Sequence, residues 1–159
     1  MRDSLIDPIS DKAKLAATEK LVKDLYRLHE AGRPYATEIQ QLAHFVDKKS
    51  DEVQRHFRYA FGSVSPDTFA CQLLVDWNAV PRDLSKPEML ELLSRIFRPS
   101  RGEEFLTEYW LKCLRINTKN DRISDLIFWP GDYFRDGDDG RELTPEEVLE
   151  IALLDAEKH

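Results

Sequence analysis

Ser85-Lys86-Pro87-Glu88 stands directly ahead of Met89, Leu90, Leu92, Leu93, Ile96 and Phe97. Ser followed three residues later by Glu is a capping box, and Pro in the first turn costs no hydrogen bond that the helix could have made. Apolar residues at the spacing that follows cover one face of a 3.6-residue helix. The same grammar recurs along the chain. Asp11 reads as the N-cap of a long helix to about Glu30, with Leu15, Leu21, Val22, Leu25 and Leu28 on its apolar face. Gly32 and Pro34 end it. Thr37 to Val46 and Ser50 to Phe61 read as two shorter helices, and Ser65-Pro66-Asp67 opens a helix running to Trp77. Glu103 to Ile116 carries Phe105, Leu106, Tyr109, Trp110, Cys113 and Leu114 at helical spacing, and Thr144-Pro145-Glu146-Glu147 opens the last helix. The expectation is an all-α protein, an antiparallel helical bundle, with no sheet of three or more strands in its C-terminal half.

Charge divides the chain. Residues 1–82 hold twelve acidic and twelve basic side chains, whereas residues 83–159 hold eighteen acidic and eleven basic ones. The whole net charge of −7 therefore lies in the second half. With Pro81 and Arg82 at the change, the expected division is a helical region 1–82 and an acidic helical domain 83–159. The acidic half repels nucleic acid and steers a basic partner toward itself. No run of 18 apolar residues marks a membrane span, and MRDSLIDPIS lacks a signal-peptide pattern, which together favour the cytoplasm. Cys71 and Cys113 sit in apolar helical patterns and read as free thiols.

Chemistry-bearing motifs are scarce. His29, His44, His56 and His159 are scattered, and neither C-x-x-C nor H-E-x-x-H occurs. Asp136-Gly137-Asp138-Asp139-Gly140 begins like a calcium loop with Glu147 at its twelfth position. However, Arg141 stands where that loop needs Gly, and Gly140 supplies no side-chain ligand. No phosphate-cradling glycine loop is present. The expectation is no catalytic residue, no metal and no cofactor. Thr37 to Arg58 loosely resembles a helix-turn-helix, with Ala43 and Val53 ten apart, though Asp47 replaces the turn glycine. It defines an alternative, a DNA-binding regulator.

The segment Asp125-Leu126-Ile127-Phe128-Trp129-Pro130 is the most specific feature. It puts two large aromatics in a short acidic setting, after a capped helix and a longer helix opened by Glu103-Glu104, and before the helix opened by Thr-Pro-Glu. This order resembles the colicin/pyocin nuclease immunity protein family across residues 83–157. Those are small acidic four-helix proteins whose short third helix carries an Asp-Leu-Ile-Tyr-Tyr-Pro motif.

The resemblance implies a non-catalytic inhibitor that binds a cognate basic nuclease toxin, and no nucleic acid or membrane. It implies contacts from the third helix through Asp125, Phe128 and Trp129; Tyr133, in this chain's own longer loop, is expected to join them. From the second helix it implies Glu103, Glu104, Leu106 and Thr107. The chain departs from the family in three ways: Phe128 has no hydroxyl, the loop Gly131 to Leu143 is longer and brings in Tyr133 and Phe134, and residues 1–82 have no counterpart. On one helical turn Asp125 and Phe128 share a face, as do Asp125 and Trp129, while Leu126 and Ile127 turn toward the bundle. Aromatics anchor interfaces because they bury much area at little entropic cost.

Overall fold

The computed structural model describes residues 1–138 and 140–157. Among them the chain forms helices α1 (Asp3–Ile6), α2 (Lys12–Glu30), α3 (Ala36–Phe45), α4 (Ser50–Ala60), α5 (Pro66–Leu74), α6 (Lys86–Phe97), α7 (Glu104–Thr118), α8 (Ile123–Phe128), α9 (Pro130–Phe134) and α10 (Pro145–Glu157), and no strand. The all-α expectation therefore holds for the described residues. None of these helices is long and apolar enough to cross a membrane.

The helix starts follow the capping residues. Asp11 accepts the N–H of Lys14 at 2.9 Å, and Ser65 accepts that of Thr68 at 3.2 Å. At Ser85 both arms of the capping box close: its hydroxyl accepts the Glu88 N–H at 3.3 Å, and Glu88 accepts the Ser85 N–H at 2.8 Å. Thr144 accepts the N–H of Glu147 at 3.2 Å. Three local readings need correction. The helix opened by Ser65 stops at Leu74, because Val75 turns extended, and does not reach Trp77. The motif helix is six residues, Ile123–Phe128, rather than one turn from Asp125. The segment after it is not all loop, since α9 fills Pro130–Phe134, with Pro130 at a first-turn position that needs no N–H donor.

The chain forms two compact units, Asp7–Asp76 and Met1–Ile6 together with Trp77–His159. In the first, α2 packs on α3 and α5, α3 on α4, and α4 on α5. Val22, Leu25, Ile39, Leu42, Val53, Phe57 and Phe69 form its core. Tyr26 meets Phe57 edge-on at 5.5 Å, and its hydroxyl donates to the Val64 carbonyl at 3.1 Å. Burial lifts that phenol to about 12. Asp47 adopts φ 57° in the turn between α3 and α4, so an aspartate fills the left-handed position that usually takes glycine.

In the second unit α6, α7 and α10 pack pairwise, α8 packs on α7 and α10, and α9 packs on α8. Its centre holds Trp110, Leu92, Leu93, Leu114, Ile123 and Leu126, all fully buried. Asn117 ties the approach to α6 onto α7, accepting the Leu84 N–H at 3.0 Å and donating to the Pro81 carbonyl at 2.8 Å. Burial raises the Cys113 thiol to about 11 and keeps it protonated at neutral pH. The first six residues belong to this unit. Leu5 is 0% exposed, and its carbonyl accepts the indole N–H of Trp110, also 0% exposed, at 2.7 Å. Arg2 pairs with Glu88 at 2.8 Å and Asp83 at 2.6 Å. Glu88 is held below the usual carboxylate range first by the Ser85 backbone N–H and then by Arg2, and Asp83 is held down by Arg2.

Candidate partner-binding site

The junction of α8 and α9 is where the chain turns large aromatics outward. Within α8, Ile123, Leu126 and Ile127 are buried. They hold the short helix against the bundle, so the residues between them must face out. Phe128 is 43% exposed and Trp129 is 56% exposed. Trp129 sits between the two helices with φ −137° and ψ 60°, and its N–H still closes α8 on the Asp125 carbonyl at 2.7 Å. Pro130 and Gly131 behind it are buried.

Asp125 lies one turn before Trp129 and is half-buried. Its carboxylate meets the Arg122 guanidinium at 3.4 Å. Arg122 also donates to the Asp132 carbonyl at 3.0 Å and the Tyr133 carbonyl at 3.5 Å, and stands 5.0 Å from the Tyr133 ring centre. The Tyr133 hydroxyl donates to Asp155 on α10 and accepts from Asn120 at 3.1 Å. Burial first, and the Asp155 carboxylate second, push that phenol up. Asn120, buried, also donates to the Ala152 carbonyl at 3.3 Å and accepts the Arg122 N–H at 3.0 Å. It thus joins the end of α7 to α8, α9 and α10.

Asp125, Phe128, Trp129 and Tyr133 are therefore brought together on α8–α9, with the Tyr133 hydroxyl turned inward. On α7, Glu104 is exposed, while Glu103, Leu106 and Thr107 are partly so. Glu103 precedes the helix and accepts the Ser100 N–H at 3.1 Å. Among the described residues no side-chain hydrogen bond or ion pair links this α7 group to α8–α9. Sequence reasoning missed Arg122 and Asn120. Arg122 lies three residues before Asp125 and had a local signal. Asn120 had only a weak one, its bond to the Arg122 N–H, because its partners Tyr133 and Ala152 are 13 and 32 residues away.

In the loop that began like a calcium site, Asp136 and Asp138 are engaged within the loop. Arg141 pairs with Asp136 and lies 3.9 Å from Asp138, and its guanidinium stands 4.4 Å from the Phe134 ring centre. Asp136 is lowered first by the Asp138 N–H and then by Arg141. Asp139 and His159, parts of the metal reading, lie outside the described residues. Among the described residues no group of three His, Cys, Asp or Glu side chains is placed to hold a metal.

Phe128 and Trp129 thus form an exposed aromatic pair beside the half-buried Asp125. Residues 82–154 match the family of colicin immunity protein / pyocin immunity protein. The match covers α6 through most of α10. Comparison with curated proteins and with solved structures gave no match.

Proposed function

We propose that this chain neutralises a nuclease-type bacteriocin toxin in the cytoplasm of the cell that makes it, by occlusion and without catalysis. The observation that carries this reading is the outward-facing pair Phe128–Trp129 beside Asp125, on the short helix of the segment that matches the immunity family. The two rings are the anchors, and Asp125, Glu103 and Glu104 attract the partner. Leu106, Thr107 and the uncovered part of the Tyr133 ring extend the contact. A nuclease needs a basic surface to hold phosphates. The eighteen acidic side chains of residues 83–159 compete for that surface. On this reading residues 83–159, with the first six residues, form the neutralising domain, and the remainder of 1–82 is an accessory helical region.

The alternative, DNA binding through α3 and α4, has the buried pair Ala43 and Val53 in its favour. It is weakened by Asp51 and Glu52 in the first turn of α4, where a recognition helix would approach base edges and phosphates.

If the acidic half steers binding, ionic strength acts on the encounter and not on the seated complex. Association with a basic toxin domain should slow at least about tenfold between low and high salt, while dissociation changes far less. Stopped-flow rates measure both. A flat association rate would mean that the acid excess serves solubility alone.

A further inference from the structure

The geometry points to Arg122 as the residue that positions Trp129 for its partner, by clasping α9 against α8. This rests on the reading of α8–α9 as the partner-binding surface. The five residues of α9 are far too few for a helix to persist on its own propensity. Only Pro130 and Gly131 of α9 are buried, so apolar packing secures just its start. Its far end needs polar ties. The carbonyls of Asp132 and Tyr133 lie in its last turn, where backbone bonding is thin: that of Asp132 takes the Arg135 N–H at 3.3 Å. Arg122 supplies donors to both, at 3.0 and 3.5 Å, while the same guanidinium reaches Asp125 at 3.4 Å and stacks on Tyr133.

One planar fork thus links the first turn of α8 to the last turn of α9. Trp129 is the hinge residue between those two turns, and its carbonyl accepts the N–H groups of Asp132 and Tyr133 at 3.0 and 3.1 Å. The Tyr133 hydroxyl, bonded to Asp155 and Asn120, holds one side chain of α9. With the fork released, the last-turn backbone of α9 still loosens, and the exposed indole of Trp129 loses its fixed direction. Preorganised anchors bind more tightly because less order remains to be imposed on docking.

Arg122 is a cation on a surface proposed to bind a cation-rich partner. If Arg122 acted by charge alone, its removal would strengthen binding. If it positions Trp129, Arg122→Ala should weaken binding about tenfold or more, despite the added negative charge. Arg122→Lys keeps the charge but presents a point donor that cannot span a carboxylate and two carbonyls. It should therefore recover only part of the loss.

The test pairs two measurements. Hydrogen exchange on the full chain should show the amides of Asp132, Tyr133, Arg135 and Asp136 exchanging at least about tenfold faster in Arg122→Ala, with α6 and α7 unchanged. Affinity is then measured for the purified nuclease domain of a colicin or pyocin that the wild-type chain neutralises in cells. Faster exchange with weaker binding supports the clasp. Unchanged exchange, or tighter binding, overturns it. Faster exchange with unchanged affinity, where Trp129→Ala abolishes binding, also overturns it but leaves the binding surface standing. If neither substitution alters affinity, the surface reading fails and the clasp fails with it.

Discussion

Trp129→Ala should cost affinity and leave the fold almost untouched. The indole is 56% exposed, and the side chains that secure α8 are its buried neighbours Ile123, Leu126 and Ile127. Truncating a half-exposed aromatic forfeits about 1 kcal/mol or less of stability, because little apolar area returns to water. An anchor aromatic at the centre of an interface typically costs about 2–4 kcal/mol of binding when cut to Ala. That is a loss of roughly 30- to 1,000-fold in affinity. The contrast lies within the same unit. Trp110 is fully buried, and its truncation should cost about 3–5 kcal/mol of folding free energy. Calorimetry and titration on the two variants separate the roles. A Trp129→Ala protein that melts far below wild type yet binds at full strength through its folded fraction would make Trp129 a core residue.

Removal of residues 1–6 should strongly destabilise the acidic unit. The deletion exposes the contacts of Leu5, a fully buried side chain worth about 1.5–3 kcal/mol. It also takes the carbonyl that accepts the Trp110 indole N–H, and a buried donor left without a partner costs about 1–3 kcal/mol. The Arg2 pairs to Glu88 and Asp83 go as well, at the start of α6. Each kcal/mol moves the melting point of a domain this size by about 4–8 °C, so a fall of roughly 10 °C or more is expected. Trp77, Trp110 and Trp129 all lie in this unit, so tryptophan emission follows its unfolding selectively. A shortened chain whose tryptophan melt stays within about 2 °C of wild type would show that the arm only rests on the surface.

The helices that sequence reveals are those with local signals. Asp11, Ser65, Ser85 and Thr144 each bond an N–H three residues on, and each starts its helix where the residue pattern puts it. The outward turn of Phe128 and Trp129 follows from the same logic, since Leu126 and Ile127 claim the buried side. What stays hidden is held by contacts remote in sequence. Helix α1 is four residues long and is fixed by a hydrogen bond spanning 105 positions, which no periodicity reports. Helix α9 is fixed by Arg122, and by Tyr133 reaching 22 residues ahead to Asp155. Tyr133 read as a surface aromatic in a loop, whereas its hydroxyl points into the fold. Its place beside the motif was legible, but its hydrogen-bond partners were not.

The central claim is neutralisation of a toxin through the α8–α9 surface. Co-expression tests it most directly, pairing this chain with the toxic domains of colicin- and pyocin-type nucleases, beginning with any toxin gene adjoining its own. The account predicts that cells survive at least one such nuclease only when the wild-type chain is present. It also predicts that survival is lost with Trp129→Ala although that variant accumulates as a folded protein. Death in every pairing with the wild-type chain, or full protection by the Trp129→Ala variant, would contradict it.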